Sequence, residues 1–132
     1  MLMSASVCLA LNVYFEARNQ NLDGQIAVAE VTLNRVADSK FPDDICSVVW
    51  DKAQFSWTHD GKSDRPRDKQ AWTTAKAVAE YALQDEENTL LQDDVLFYHA
   101  HYCKPYWSKD FAVAGRIGSH IFYSRSKTLG NS

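Results

Sequence analysis

Apolar positions crowd the start of the chain and then thin into periodic stripes. Residues 4–18, SASVCLALNVYFEAR, are apolar almost all round, the pattern of a helix buried on every side. A second helix is predicted over 22–37, capped by Asn21 or Asp23, with Ile26, Ala29, Leu33 and Val36 on one stripe. FPDD at 41–44 gives a turn and a helix start, with Asp43 as the expected N-cap of a short third helix ending near Trp50. The segment 51–66, DKAQFSWTHDGKSDRP, mixes β-formers with the turn pair Asp60-Gly61 and predicts a small hairpin or an ordered loop. Asp68 can cap a long helix reaching about Leu83, whose face of Ala71, Ala75, Val78 and Ala82 allows close approach to a neighbour. VLFYHA (95–100) and RIGSHIFYS (116–124) read as extended. Trp50 and Trp72 are assigned to the core. The expected fold class is mostly α (α+β), a single domain over 1–132 with a small β-hairpin element and no linker or repeat.

Composition narrows the function classes. A net charge of -3 with a pI near 5.7 argues against a general polyanion binder, so no nucleic-acid partner is expected. The apolar N-terminus lacks a basic leader, is broken by Asn12 and runs into Glu16; it is shorter than the roughly 20 residues a bilayer span needs. It reads as a core helix, without stable membrane insertion. Three cysteines, Cys8, Cys46 and Cys103, form no tight framework, and reduced thiols with cytoplasmic synthesis are expected.

Glu16 stands out because it interrupts that first apolar run. On an ideal helix it lies about 20° from Leu9, about 40° from Asn12 and about 60° from Val13, whereas Arg18 lies roughly 160° away. Glu16 therefore shares the apolar face, at the negative end of the helix dipole, and both influences raise a carboxyl pKa. A raised carboxyl pKa is what a general acid near neutral pH requires. The structural alternative is a carboxylate fixed by a cation from elsewhere, such as Arg35.

Glycoside cleavage commonly uses two carboxylates. Glu30, on the rim of the second helix's stripe, and Asp60, in the 51–66 segment, are available, but each reads more simply as a structural or solvated acid. One competent acid suffices for a lytic transglycosylase, which needs no water-activating base. In HAHYCKPYW (99–107) strand spacing would set His99, His101 and Cys103 on one face as metal ligands, with His59 and His120 merely available as a fourth. The simpler reading is a sugar-facing lining of Tyr98, His99, His101, Tyr102, Tyr106 and Trp107. Phosphate-loop, dinucleotide, G-x-S-x-G and H-E-x-x-H motifs are absent from the sequence.

Five segments carry a resemblance: YFEARNQNLDGQIAVAEVTLNRV (14–36), FPDDICSVVW (41–50), QFSWTHDGK (54–62), DDVLFYHAHYCKPYW (93–107) and IGSHIFY (117–123). In their order they resemble the SleB-type cell wall hydrolases, the spore cortex-lytic enzyme family. The resemblance implies a lysozyme-like helical fold and cleavage of the MurNAc–GlcNAc β-1,4 bond in the glycan strands of peptidoglycan, with no cofactor or metal. It carries the catalytic acid onto Glu16 and places Gln54, Phe55 and Ser56 along the cleft, with Tyr98, His99 and Tyr123 as further substrate-binding candidates. Lacking a recognisable signal peptide or wall-binding module, the chain looks more like a phage endolysin: a monomer made in the cytoplasm and acting on the wall after release. The rival expectations are a zinc-dependent peptidoglycan amidase built on His99, His101 and Cys103, and a non-catalytic wall-binding module.

Overall fold

The computed structural model describes residues 3–51, 55–84 and 89–125. Four α-helices come first and a small sheet last: α1 (Ala5–Ala17), α2 (Leu22–Ala37), α3 (Ile45–Val49), α4 (Lys69–Gln84), then β1 (Val95–Ala100), β2 (Ala112–Ile117) and β3 (His120–Ser124). The sequence places most of these boundaries because it supplies the caps. The Ser4 side chain accepts from the Val7 amide, Asn21 from Gly24 and Asp68 from Ala71. The third helix is capped by Asp44 rather than Asp43, with Asp44 accepting from both the amide and the hydroxyl of Ser47. Those bonds hold the Asp44 carboxyl below its usual pKa. Gly24 is needed beside its cap, since a Cβ there would come within 2.9 Å of the Gln20 side chain.

α1 is the axis of the domain. Every residue from Cys8 to Tyr14 is buried, and α2, α3 and α4 all pack on it. The small residues Ala75, Ala79 and Ala82, with Val78, form the buried face of α4. Trp50 and Trp72 are half-buried and pack against the edge of this core. Among the described residues no helix is long and apolar enough to cross a membrane.

The sheet is antiparallel with order β1-β3-β2. The extended stretches expected at 95–100 and 116–124 supply β1 and β3, but the second is broken by a turn before His120, and β2 covers 112–117, most of which the pattern does not mark as extended. Bulges interrupt the register between Val95 and Phe97 on β1 and between Val113 and Gly115 on β2. Beyond them Phe97 lies opposite Tyr123, Tyr98 opposite Phe122, His99 opposite Ile121 and Ala100 opposite His120. Facing partners share a face of the sheet. One face carries Tyr98, Ala100, His120 and Phe122, with Phe122 packed on Ala27 and Val31 of α2. The other carries Phe97, His99 and Tyr123, covered by Trp107 and Phe111.

The described part of 51–66 forms no hairpin but the ordered loop expected as its alternative. Ser56–His59 make a 3-10 turn, followed by a bend at Gly61 with φ +77°. The cause is Trp57, whose buried indole donates to Asn12 Oδ1 at 2.8 Å, while the Asn12 amide donates to Thr32 Oγ1 at 3.3 Å. Tying the segment to α1 and α2 in this way leaves no strand partner for it. The expectation of reduced cysteines fails: Cys8 and Cys46 form a disulfide joining α1 to α3, and Cys103 is the free, exposed thiol. The pairing escapes the sequence because it depends on how α3 folds back onto the start of α1.

Candidate active site

The last turn of α1 delivers Glu16 to the junction of the helical core with the sheet. Tyr98, on the inner face of β1, donates its hydroxyl to Glu16 Oε1 at 2.6 Å. Part of Glu16 opens to a cleft, yet burial raises its carboxyl pKa, outweighing the Tyr98 hydrogen bond and the attraction of Arg35, which both pull it down. Tyr98 itself is pushed well above its ordinary value by burial and by the facing carboxylate, so it remains a donor.

Arg35 stands behind this pair. Its Nε donates to the Leu96 carbonyl at 2.8 Å, two residues before Tyr98, and its guanidinium lies over the rings of Phe41, Phe55 and Phe97 at 5.2, 5.1 and 5.7 Å. Burial lowers its pKa, opposed by the attraction of Tyr98, Glu16 and Asp51. The guanidinium thus works on Glu16 as a nearby charge; elsewhere an ion pair joins Arg125 to Asp38.

Glu16 sits between two cavities of about 350 Å³ each. The sheet-side cavity is lined by Asn19, Gln20, Tyr102, Ser119 and His120, the opposite one by Ser56, Trp57, Asp60, Lys62 and Asp64. Phe15, Glu16 and Arg18 border both. Arg18 reaches the cleft despite its angular distance from Glu16, because it is the cap residue at the end of α1; it lies over the Tyr14 ring at 4.8 Å. The sheet-side wall is held by a cross-chain bond, Ser119 N to Gln20 Oε1 at 2.9 Å. Gly118 leaves room for it, since a Cβ there would come within 2.5 Å of that oxygen.

The sequence-predicted residues divide. Ser56 is exposed in the cavity opposite the sheet and Tyr98 touches Glu16. Phe55 is buried in the core under Arg35, and Gln54 lies outside the described residues. His99 and Tyr123 bind one another on the outer face of the sheet, Nε2 to hydroxyl at 2.8 Å, and so face away from Glu16. Trp107 covers that pair, whereas Tyr102 and Tyr106 are 80% and 82% exposed. The expected common face of His99, His101 and Cys103 does not form, because β1 ends at Ala100 and the chain turns, with Cys103 N bonding back to the Ala100 carbonyl. Among the described residues no cluster of three or more His, Cys, Asp or Glu is arranged to hold a metal.

Of the other acids, Glu30 accepts from the amides of Leu90 and Leu91 at 2.8–3.0 Å, clamping that loop away from the cleft. Burial raises its pKa against the opposing effect of those bonds. Asp60 does line the cavity beside Glu16 and accepts from the Lys62 amide. In sequence His120 presents itself only as a spare metal ligand, because its place opposite Ala100, on the same face as Tyr98, depends on the strand register.

On a mostly helical scaffold, the last turn of a buried helix thus presents to a cleft a carboxyl whose pKa burial raises, held by a tyrosine from a small sheet. A family model described as Cell Wall Hydrolase matches residues 19–123, and the chain belongs to that family. Glu16 stands just before the matched span. The chain is 31% identical over 123 residues to a spore cortex-lytic enzyme of Oceanobacillus iheyensis, covering 86% of this chain and 39% of the relative. It is 32% identical over 123 residues to the enzyme of that description from Halalkalibacterium halodurans, covering 86% and 33%. The chain thus spans between about a third and two fifths of these relatives' length. Among solved structures, the catalytic domain of the germination-specific lytic transglycosylase SleB from Bacillus anthracis superposes with a TM-score of 0.76 at 26% identity, covering 93% of this chain and 97% of that one. The catalytic domain of Bacillus cereus SleB gives a TM-score of 0.68 at 23% identity, covering 94% and 93%. The fold is the lysozyme-like one that the resemblance implied.

Proposed function

We propose that the chain is a single catalytic domain that degrades peptidoglycan by cleaving the MurNAc–GlcNAc β-1,4 bond, with Glu16 as the general acid. The observation that carries this reading is the raised-pKa carboxyl of Glu16 between two saccharide-sized cavities. Tyr98 occupies Oε1 and leaves Oε2 to carry the proton. That proton passes to the glycosidic oxygen as its bond to C1 breaks, leaving an oxocarbenium-like sugar and a carboxylate on Glu16. Either water or the MurNAc 6-hydroxyl then attacks C1, and its proton returns to Glu16. The second route gives a 1,6-anhydro end and needs no other carboxylate; the SleB domain it superposes on is described as a lytic transglycosylase. Asp60 and Asp64 line a cavity with Glu16, and Asp60 is the acid we assign to assist the hydrolytic route.

The setting we propose is host-cell lysis by a phage endolysin, a monomer made in the cytoplasm and acting on glycan strands after release to the wall. A Cys8–Cys46 disulfide persists in oxidising surroundings and so favours action outside the cytoplasm.

The test is release of soluble fragments from purified sacculi by wild-type protein and by Glu16→Gln, with mass spectrometry of the ends. Loss of about 10²- to 10⁴-fold in rate with the fold intact is expected for removal of a general acid. A folded Glu16→Gln that clears sacculi at the wild-type rate overturns the assignment, and ends lighter by one water identify the anhydro route.

A further inference from the structure

Of the titratable groups lining the cleft that the proposed chemistry leaves unused, His120 is a buried one. It begins β3, is only 8% exposed, and lines the sheet-side cavity together with Glu16. Its ring meets the Tyr98 ring edge-on at 5.1 Å, and Tyr98 is the residue that holds Glu16. Its Nδ1 is sealed from solvent without a hydrogen-bond partner among the described residues.

A buried polar atom without a partner costs roughly 1–3 kcal/mol, and such an exception in a native fold calls for an explanation. An unpaired ring N–H is harder to bury than an unpaired lone pair, so the sealed Nδ1 is the deprotonated nitrogen and the proton resides on Nε2. Burial, with the charge of His99 adding to it, also lowers the pKa of His120. The imidazole is thereby fixed as a neutral, single-donor ring. His99 cannot share this task, since its Nε2 is engaged by Tyr123 on the other face of the sheet.

We propose that His120 is a further substrate-contacting residue, donating a hydrogen bond from Nε2 to an acceptor oxygen of the saccharide in the sheet-side cavity. The inference rests on the glycan-cleaving reading of the site. Saccharides present many uncharged acceptors, hydroxyl and N-acetyl carbonyl oxygens, and a neutral donor recognises them without favouring an anion. The contact fixes the ring beside the bond that Glu16 protonates, through a residue already packed on Glu16's own partner.

The experiment compares wild type, His120→Gln and His120→Phe on soluble glycan strands freed from sacculi by an amidase. It reads KM and kcat, together with Kd for the same strands in the inactive Glu16→Gln background. His120→Phe keeps a ring against Tyr98 and loses the donor, so KM and Kd should rise about five- to tenfold with kcat little changed. His120→Gln keeps a side-chain donor and should stay within about twofold of wild type. Unchanged KM and Kd in a folded His120→Phe overturn the inference, as do equal losses in the Gln and Phe variants, which would mark a packing role. A fall in kcat alone also overturns it, since the ring would then act through Tyr98 rather than on the sugar. If wild type fails to cleave the strands while His120→Phe still weakens binding, the glycosidase reading falls and the contact stands. If Glu16→Gln is inactive and His120→Phe matches wild type, only the contact falls.

Discussion

Breaking the Cys8–Cys46 bond should cost the fold much of its stability without touching the chemistry. The bridge spans a sequence separation of 38 and ties the first turns of α1 to α3. In the chain-entropy account, closing a loop of that length restricts the unfolded chain by about 3.9 kcal/mol at 25 °C. A domain has only about 5–15 kcal/mol to lose. With a urea dependence of about 1–3 kcal/mol per molar, the unfolding midpoint should fall by about 1–4 M on reduction. The assay is urea unfolding followed by tryptophan fluorescence, with and without reductant. The reduced protein should also unfold with a steeper urea dependence, because its unfolded state is less compact and exposes more surface. Cys46→Ala without reductant should match the reduced wild type, since Cys46 is half-exposed and leaves little void. Cys8→Ala should fall further, because Cys8 is fully buried. Below the midpoint, reduced enzyme should keep its activity, Glu16 lying two turns further along α1. Coincident curves for oxidised and reduced protein would refute the reasoning.

The remaining predictions concern the cleft and its supports. Tyr98→Phe removes a hydrogen bond that favours the Glu16 carboxylate, so the alkaline limb of the rate profile, where the acid loses its proton, should move to higher pH; an unmoved limb would separate Tyr98 from the titration. Glu16 has a raised folded-state pKa, so the folded protein holds this proton more tightly than the unfolded chain does. Its contribution to stability is therefore complete below the unfolded pKa of about 4.3 and declines as pH rises through the folded value. Glu16→Gln should lack that decline and melt above wild type on its alkaline side, which melting curves across pH would show. Trp57→Phe leaves the buried Asn12 oxygen without its donor and should cost about 1–3 kcal/mol. A double-mutant cycle with Asn12→Ala should show coupling, and strict additivity would dissolve the network.

The helices were legible because their information is local. Asn21 followed by a clean apolar stripe marks 22–37 to the residue, and the acid on the face of the first helix could be found by angle alone. Asp43 and Asp44 are adjacent candidates for one cap, and only the turn's geometry chose between them. The sheet side of the site was harder. Neighbouring strand residues point to opposite faces, so Tyr98 and His99 could not both serve the cleft. Which one did depended on β1's register against β3, a long-range pairing. His120 and the disulfide were hidden for the same reason. Trp57 was within reach, being an indole in a polar segment, but its acceptor Asn12 stands on another element.

The bulges after Val95 and Val113 act as the phase setting of the sheet. Side chains alternate with a period of two, so a slip of one residue in β1 would exchange its two faces while leaving a paired strand in place. His99 would then point toward Glu16, and Tyr98 would join Trp107 on the outside. A single-residue deletion at Leu96 is thus a parity error: it can preserve strand content in the circular dichroism spectrum while removing the phenol from the acid it holds.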